Sequence, residues 1–331
     1  MPPPVPVGRC SAVPEALTKN PLSGAAGWLF EPATDSPPRS QMWMSTGLCI
    51  LLGLMWLYNV SWMRAPDFGL ADGNGLSQFT RYAVDYPVFP PYSWFVENLI
   101  LPLFVPFGWV VLLAETVLAV LLLTGTWVRF AALLGLAESL AIVLSVAVAP
   151  NEWPWSYWLM IGAHALLLVS PGGRALAVDG VRAAVASARR FGAVWGIASI
   201  LMGISSLVAS LGNPLAFRGP GLRSVDLSVS LGERNLVGAR VLTDRGLALM
   251  AATRQGLTKA GFLAAGLGIL GALSLYAQRG FSTPLLGGSP SSAAWLLSIA
   301  VIGLTLSWFS PAITGRAHRS QRPHRPHPTG V

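Results

Sequence analysis

Charge is scarce in this chain. Only 11% of its 331 residues are Asp, Glu, Lys or Arg, against roughly 25% in an ordinary soluble domain, which excludes a water-facing globule as its main body. Cysteine is as sparse. Cys10 lies in a Pro-rich stretch and Cys49 in a distant hydrophobic one, so there is no disulfide framework, no CxxC dithiol and no zinc site to assign. No P-loop, Rossmann glycine pattern, haem-attachment CxxCH or hydrolase elbow occurs in a supporting context, which argues against an autonomous ATP-, NAD- or haem-dependent enzyme. The formal charge of +8 is spread over loops and tails beside apolar segments. With no nucleic-acid motif among them, anionic lipid headgroups are the expected partner and nucleic acid is not.

What the chain has instead is apolar length. Hydrophobic residues make up 53% of it, and they fall in blocks of about 20 residues, the length that crosses a hydrocarbon core. The expected fold class is therefore an all-α integral membrane protein. Seven candidate spans follow one another, approximately Met42 to Trp62, Leu101 to Thr124, Val128 to Ala149, Pro154 to Ser170, Gly192 to Leu211, Leu257 to Gln278 and Ala293 to Ala312. Residues 1–41, rich in Pro, Ser and Gly and without a signal-peptide pattern, read as a disordered tail, and residues 313–331 as a second, basic one. Residues 212–256 form a polar insert in which Val225, Leu227, Val229 and Leu231 alternate with Asp226, Ser228 and Ser230, the pattern of a strand in a small hairpin. Gly192 and Gly196, and Ala264, Gly268 and Ala272, recur every four residues, a spacing that lets helices approach closely.

Aromatic residues mark the interfaces. The stretch from Arg64 to Ile100 is crowded with Tyr, Trp, Phe and Pro and is expected to hold a short interfacial helix near Ser77 to Asp85, while Trp153, Trp155 and Trp158 belt the approach to span four. Arg129 between spans two and three, and Arg174, Arg182, Arg189 and Arg190 between spans four and five, place those loops and the N-terminal tail in the cytoplasm of a plasma-membrane protein. Seven crossings then put the basic segment 313–331 outside, against the same rule. The expectation is that the N-terminal helices dominate the topology.

Several motifs in order carry a family resemblance. Leu51 to Gly69 runs from a first helix into a Pro66-Asp67-Phe68 turn. Gly108 to Leu140 holds a Glu-bearing helix, a Gly125 turn, Arg129 and a small-residue helix. Trp153-Pro154-Trp155 leads into the fourth helix, and Gly173, Arg174 and Asp179 follow its exit. From about Ser45 to Gly180 the chain resembles the DoxX/DoxD family, particularly the DoxD-type subunit of thiosulfate:quinone oxidoreductase. The resemblance implies a four-helix membrane domain over residues 42–190, a place in a quinone-linked redox assembly with a protein partner, and a membrane quinone as cofactor. The additional helices within 191–312 depart from that pattern.

Three ionisable residues are expected deep in the bundle: Glu115 in span two, Glu138 in span three and His164 in span four. Counted from the inner turns, all lie about 12–15 Å from the cytoplasmic ends and so share a layer. Charge at that depth is costly and marks either a functional or a pairing site. The three could bind a quinone and relay protons, with Glu as acid and His164 bonding a quinone carbonyl. Alternatively Glu138 and His164 satisfy one another, or each bonds Ser, Thr or backbone. Near the outer edge Arg64 and Arg81 are candidates for an oxyanion such as thiosulfate, among Asn59, Asp67, Asp85 and Glu97, with ordinary ion pairs to Asp67 and Asp85 as the competing reading. The resulting functional expectation is a redox subunit, beside two others: a non-catalytic scaffold docking a soluble redox enzyme, and a small-solute transporter.

Overall fold

A backbone amide in hydrocarbon has no water to bond, so an apolar block satisfies its own backbone by closing into a helix. The computed structural model describes residues 21–31, 38–63, 65–170, 175–183, 186–211, 221–224, 227–230, 236–254, 257–278 and 290–320. Its helices are α1 (Pro21–Phe30), α2 (Arg39–Trp62), α3 (Gly75–Asp85), α4 (Pro90–Phe95), α5 (Phe104–Thr124), α6 (Val128–Val146), α7 (Pro154–Val169), α8 (Val178–Arg182), α9 (Ala188–Ser210), α10 (Leu236–Ala252), α11 (Lys259–Gln278) and α12 (Pro290–Ser320). Strands β1 (Gly221–Ser224) and β2 (Leu227–Ser230) pair antiparallel with Gly221 opposite Ser230.

Among the described residues, five helical stretches are long and apolar enough to cross a membrane: Arg39–Trp62, Pro90–Thr124, Val128–Val146, Ala188–Val208 and Ser292–Phe309. The other two expected spans are shorter apolar helices, Pro154–Val169 and Lys259–Ser274. The chain is a multi-pass membrane protein. Its second stretch is helical from Pro90 onward because its two prolines near the start of α5 are absorbed locally. Pro102 and Pro106 lack the N–H for an ordinary i→i−4 bond. The helix adjusts through a π turn at Val96–Ile100, where the Leu101 N–H reaches back to the Val96 carbonyl, and a 3₁₀ turn at Leu101–Leu103.

Helices α2, α5, α6 and α7 form a first bundle, α2 lying along α5 and α6 along α7. Their shared core holds Cys49, Leu52, Trp56 and Leu57 from α2, Leu118 and Leu122 from α5, Ala131 and Ala132 from α6, and Leu167 from α7. Gly53 brings α2 against the α5 backbone, where a Cβ would stand 2.9 Å from the Leu123 nitrogen. The turn between α5 and α6 is built from backbone chemistry. Gly125 ends α5 in the left-handed conformation at φ 63°, a geometry glycine adopts freely. The N-terminus of α6 is then capped from a distance: Val128 N–H donates to the Asp179 carboxylate at 3.2 Å, and Asp179 N–H donates to the Gly125 carbonyl at 3.0 Å.

Helices α9 to α12 form a second bundle by the same pattern, α9 along α10 and α11 along α12, with α12 also packed on α5 and α2. Two parts of the chain differ from expectation here. Residues 21–30, inside the stretch read as a disordered tail, form α1, because Arg129 and Arg182 hold its last carbonyls. Arg129 donates to the Trp28 carbonyl at 2.9 Å and lies over the Trp28 ring, and Arg182 donates to the Phe30 carbonyl at 3.2 Å. Within the insert 212–256 the unforeseen element is α10, whose charged residues hide its apolar stripe of Ala239, Leu242, Leu249 and Ala252.

Candidate functional site

Two residues of α2, three positions apart and so on one helix face, organise the interior of the first bundle. Asn59 Nδ2 donates to Glu115 Oε1 at 3.1 Å, and Trp62 Nε1 donates to Asn59 Oδ1 at 3.3 Å, which fixes the orientation of the amide. Trp56 Nε1 donates to His164 Nε2 at 3.0 Å. An indole N–H only donates, so Nε2 is the acceptor nitrogen and Nδ1 carries the hydrogen. That hydrogen goes to the Met160 carbonyl at 2.8 Å.

His164 is therefore satisfied at both nitrogens and fully buried, at 0% exposure. It is not paired with Glu138, as one reading of the sequence had it. Its seat is Gly135 of α6, where a Cβ would overlap the imidazole. The absent side chain is what lets a ring from α7 fill the bundle between α6 and Trp56.

Glu115 differs. It is 3% exposed, and while Oε1 is held by Asn59, its second oxygen Oε2 is buried without a hydrogen-bond partner. An orphaned buried acceptor costs about 1–3 kcal/mol, more when charged, so the site carries strain that a donor or a ligand oxygen accepting from the acid form would relieve. Glu138 of α6, half-buried one turn beyond Gly135, is near enough to act electrostatically on Glu115 and on Tyr92 of α4. The Tyr92 hydroxyl meets Ser145 at 3.0 Å near the C-terminal end of α6. Glu115 and Glu138 thus lie within electrostatic reach of each other, and His164 belongs to an adjoining, closed arrangement. The neighbouring Thr116 meets Tyr276 of α11 at 3.0 Å, tying the second bundle to the helix that carries Glu115.

The outer cluster does not assemble as expected. Asp67 spends its oxygens on the N–H groups of Gly69 and Ala71, a local turn. Arg81 is exposed on α3 and makes no salt bridge among the described residues, and Arg64 lies outside them. Phe68, from the same turn, is buried against α5 in the space left by Gly108 and meets Trp109 edge-on at 5.4 Å. Arg129 holds α1, and Arg174 lies outside the described residues.

Sequence reading missed three participants. Asn59 was seen only as part of the outer cluster, and Trp56 and Gly135 carried no signal alone. The spacing that reveals them is Trp56 with Asn59 on one turn of α2, and Gly135 with Glu138 on one turn of α6. Arg245 was also missed. It is 3% exposed on α10, with Nη2 donating to the Leu267 carbonyl and Gly271 leaving room for its guanidinium. Among the described residues no group of three or more His, Cys, Asp and Glu side chains is arranged to hold a metal. The chain matches no family model, no curated protein and no solved structure.

Proposed function

We propose that this chain is an integral membrane subunit of a quinone-linked redox system of the thiosulfate:quinone oxidoreductase kind, residing in the plasma membrane with its N-terminal side cytoplasmic. The observation that supports it most is Glu115 Oε2, a buried carboxyl oxygen with no partner whose twin is held in place by Asn59. Reduction of a quinone to the quinol takes up two electrons and two protons. The electrons come from a small reductant such as thiosulfate, oxidised in the assembly to which this subunit belongs. In its acid form Glu115 presents Oε2–H to a quinone oxygen, gives up that proton as the oxygen becomes a hydroxyl, and is recharged through the half-buried Glu138. His164, closed by Trp56 and Met160, positions the helices around the carboxyls. Arg81, exposed and outside any ion pair among the described residues, offers a guanidinium fork to an oxyanion at the outer surface, and Arg64 is the second candidate by sequence.

In an active complex purified with its partners, Glu115→Gln is expected to lower quinone reduction by about 10²-fold or more, the usual contribution of a positioned acid. Arg129→Gln, far from the site, leaves it unchanged. Wild-type turnover in Glu115→Gln would remove the proton role.

A second reading is a scaffold that docks a soluble redox enzyme. The complete satisfaction of His164 favours it, since a closed Trp56–His164–Met160 arrangement is what a purely structural interior provides. A stable partner recovered in mild detergent, with turnover unaffected by Glu115→Gln, is the outcome that selects this reading.

A further inference from the structure

Hydropathy finds an odd number of spans and strands the basic segment 313–331 on the outer side. We infer that α10 is an additional membrane-crossing helix, giving two four-helix membrane bundles, eight crossings, and a basic segment 313–331 that faces anionic lipid on the same side as the Arg182–Arg190 loop.

Depth is the first argument. Helix α9 is long and apolar enough to cross, and α10 runs antiparallel along it at backbone contact. Gly192 meets Thr253, Gly196 meets Gly246 and Met250, and Gly203 meets Ala239 and Thr243. Midway between them the Ser199 hydroxyl donates to the Leu242 carbonyl at 2.9 Å. These contacts cover about 17 Å along α9 and about 21 Å along α10, more than half of a hydrocarbon core. Two helices in such contact over such a depth share the same medium. If α9 crosses, so does α10. Its 17 residues stand at the short end of the crossing range of about 17–25.

Charge is the apparent objection. Arg240, Asp244 and Arg245 lower the hydropathy of α10. Arg240 and Asp244 lie exposed on the first half of the helix, on the β2 side, and pair with each other at 3.0 Å, while the Arg245 guanidinium is buried under α11, bonded to the Leu267 carbonyl. Paired or covered charge is the form in which ionisable groups occur at membrane depth.

Side is the second argument, and it rests on different contacts. Thr253 lies beside Gly192 at the start of α9, next to Arg189 and Arg190. The Ser307 hydroxyl, near the far end of the apolar part of α12, donates to the Thr258 carbonyl at 2.7 Å, and Gly303 abuts Gly261. The start of α9, the α10–α11 connection and the exit of α12 therefore share one face. That face gathers Arg182, Arg189, Arg190, Arg254 and Lys259, and in the sequence that continues from the exit of α12 come Arg316, Arg319, Arg322 and Arg325 with no acidic residue between them. Positive charge concentrated on one side is what topology selection and anionic leaflets both favour.

The test is labelling with a membrane-impermeant maleimide in right-side-out and inside-out vesicles. The background is Cys10→Ser, with the buried Cys49 retained. Single cysteines are placed by Ser228→Cys in β2, by Leu257→Cys in the α10–α11 connection, where the side chain is exposed, and by Ser320→Cys at the end of α12. Thr258→Cys replaces Leu257→Cys should the latter not assemble. Leu257→Cys and Ser320→Cys are expected to label only in inside-out vesicles and Ser228→Cys only in right-side-out ones. Labelling of Ser228→Cys and Leu257→Cys from the same side, or of Ser320→Cys from the side of Ser228→Cys, overturns the inference. Either result is independent of quinone activity.

Discussion

Replacing Gly135 by alanine tests the His164 seat. The new Cβ would overlap the imidazole, and the ring, fully buried, has no solvent to move into. It must shift off Trp56 Nε1, breaking the 3.0 Å hydrogen bond. Overpacking of this kind costs about 1–3 kcal/mol. Leaving a buried indole N–H and an imidazole nitrogen without partners adds about 1–3 kcal/mol. Against this, alanine gains up to ~1 kcal/mol over glycine in a helix interior, so the net loss should be about 3 kcal/mol. The contrast is Gly162→Ala on α7, where nothing lies within 4 Å of a built Cβ; that variant should gain about 0.5–1 kcal/mol. Denaturant titration in mixed detergent micelles reads both. Trp56→Phe, which removes the donor, should cost less in the Gly135→Ala background than in the wild type, because the same hydrogen bond cannot be lost twice. A Gly135→Ala protein within about 0.5 kcal/mol of wild type, the range of an ordinary surface substitution, would refute the claim that this glycine exists to admit the ring.

Two further outcomes concern Asp179 and helix α1. Burial pushes the Asp179 carboxyl above its ordinary value, opposed by the Val128 N–H and the Arg182 guanidinium. The folded chain then binds this proton at higher pH than the unfolded one, so its contribution to stability falls as pH rises from the ordinary carboxylate value through the raised one. Asp179→Asn should flatten that part of the stability profile, and an unchanged slope would contradict the assignment. Arg129→Ala together with Arg182→Ala removes both charged donors to the last carbonyls of α1. Amide exchange across residues 24–31 should accelerate by about tenfold, the equivalent of roughly 1.4 kcal/mol and modest for two partly exposed charged hydrogen bonds. Exchange at the wild-type rate would mean that the ring contacts of Phe30 with Trp127 and Phe130 hold the helix alone.

The membrane class and the helical identity of the seven hydrophobic blocks were legible in the sequence, because hydrocarbon leaves an apolar stretch of that length few alternatives to a helix. The helix that carries each of Glu115, Glu138 and His164 was legible too, since each lies within one of those blocks. Tertiary structure alone decided which of the three meet. His164 turned to Trp56 and Met160 because Gly135 opened a space on that side, and Glu115 met Asn59 within electrostatic reach of Glu138. These are contacts between helices far apart in the chain, set by rotation about helix axes, which single-helix periodicity leaves open. Helix α10 escaped for another reason. Its three charged residues lower a local hydropathy sum, whereas its place depends on Gly196 and Gly246 allowing two backbones to touch. Composition measures a segment against water or lipid, but α10 lies mainly against other helices, and only packing shows that.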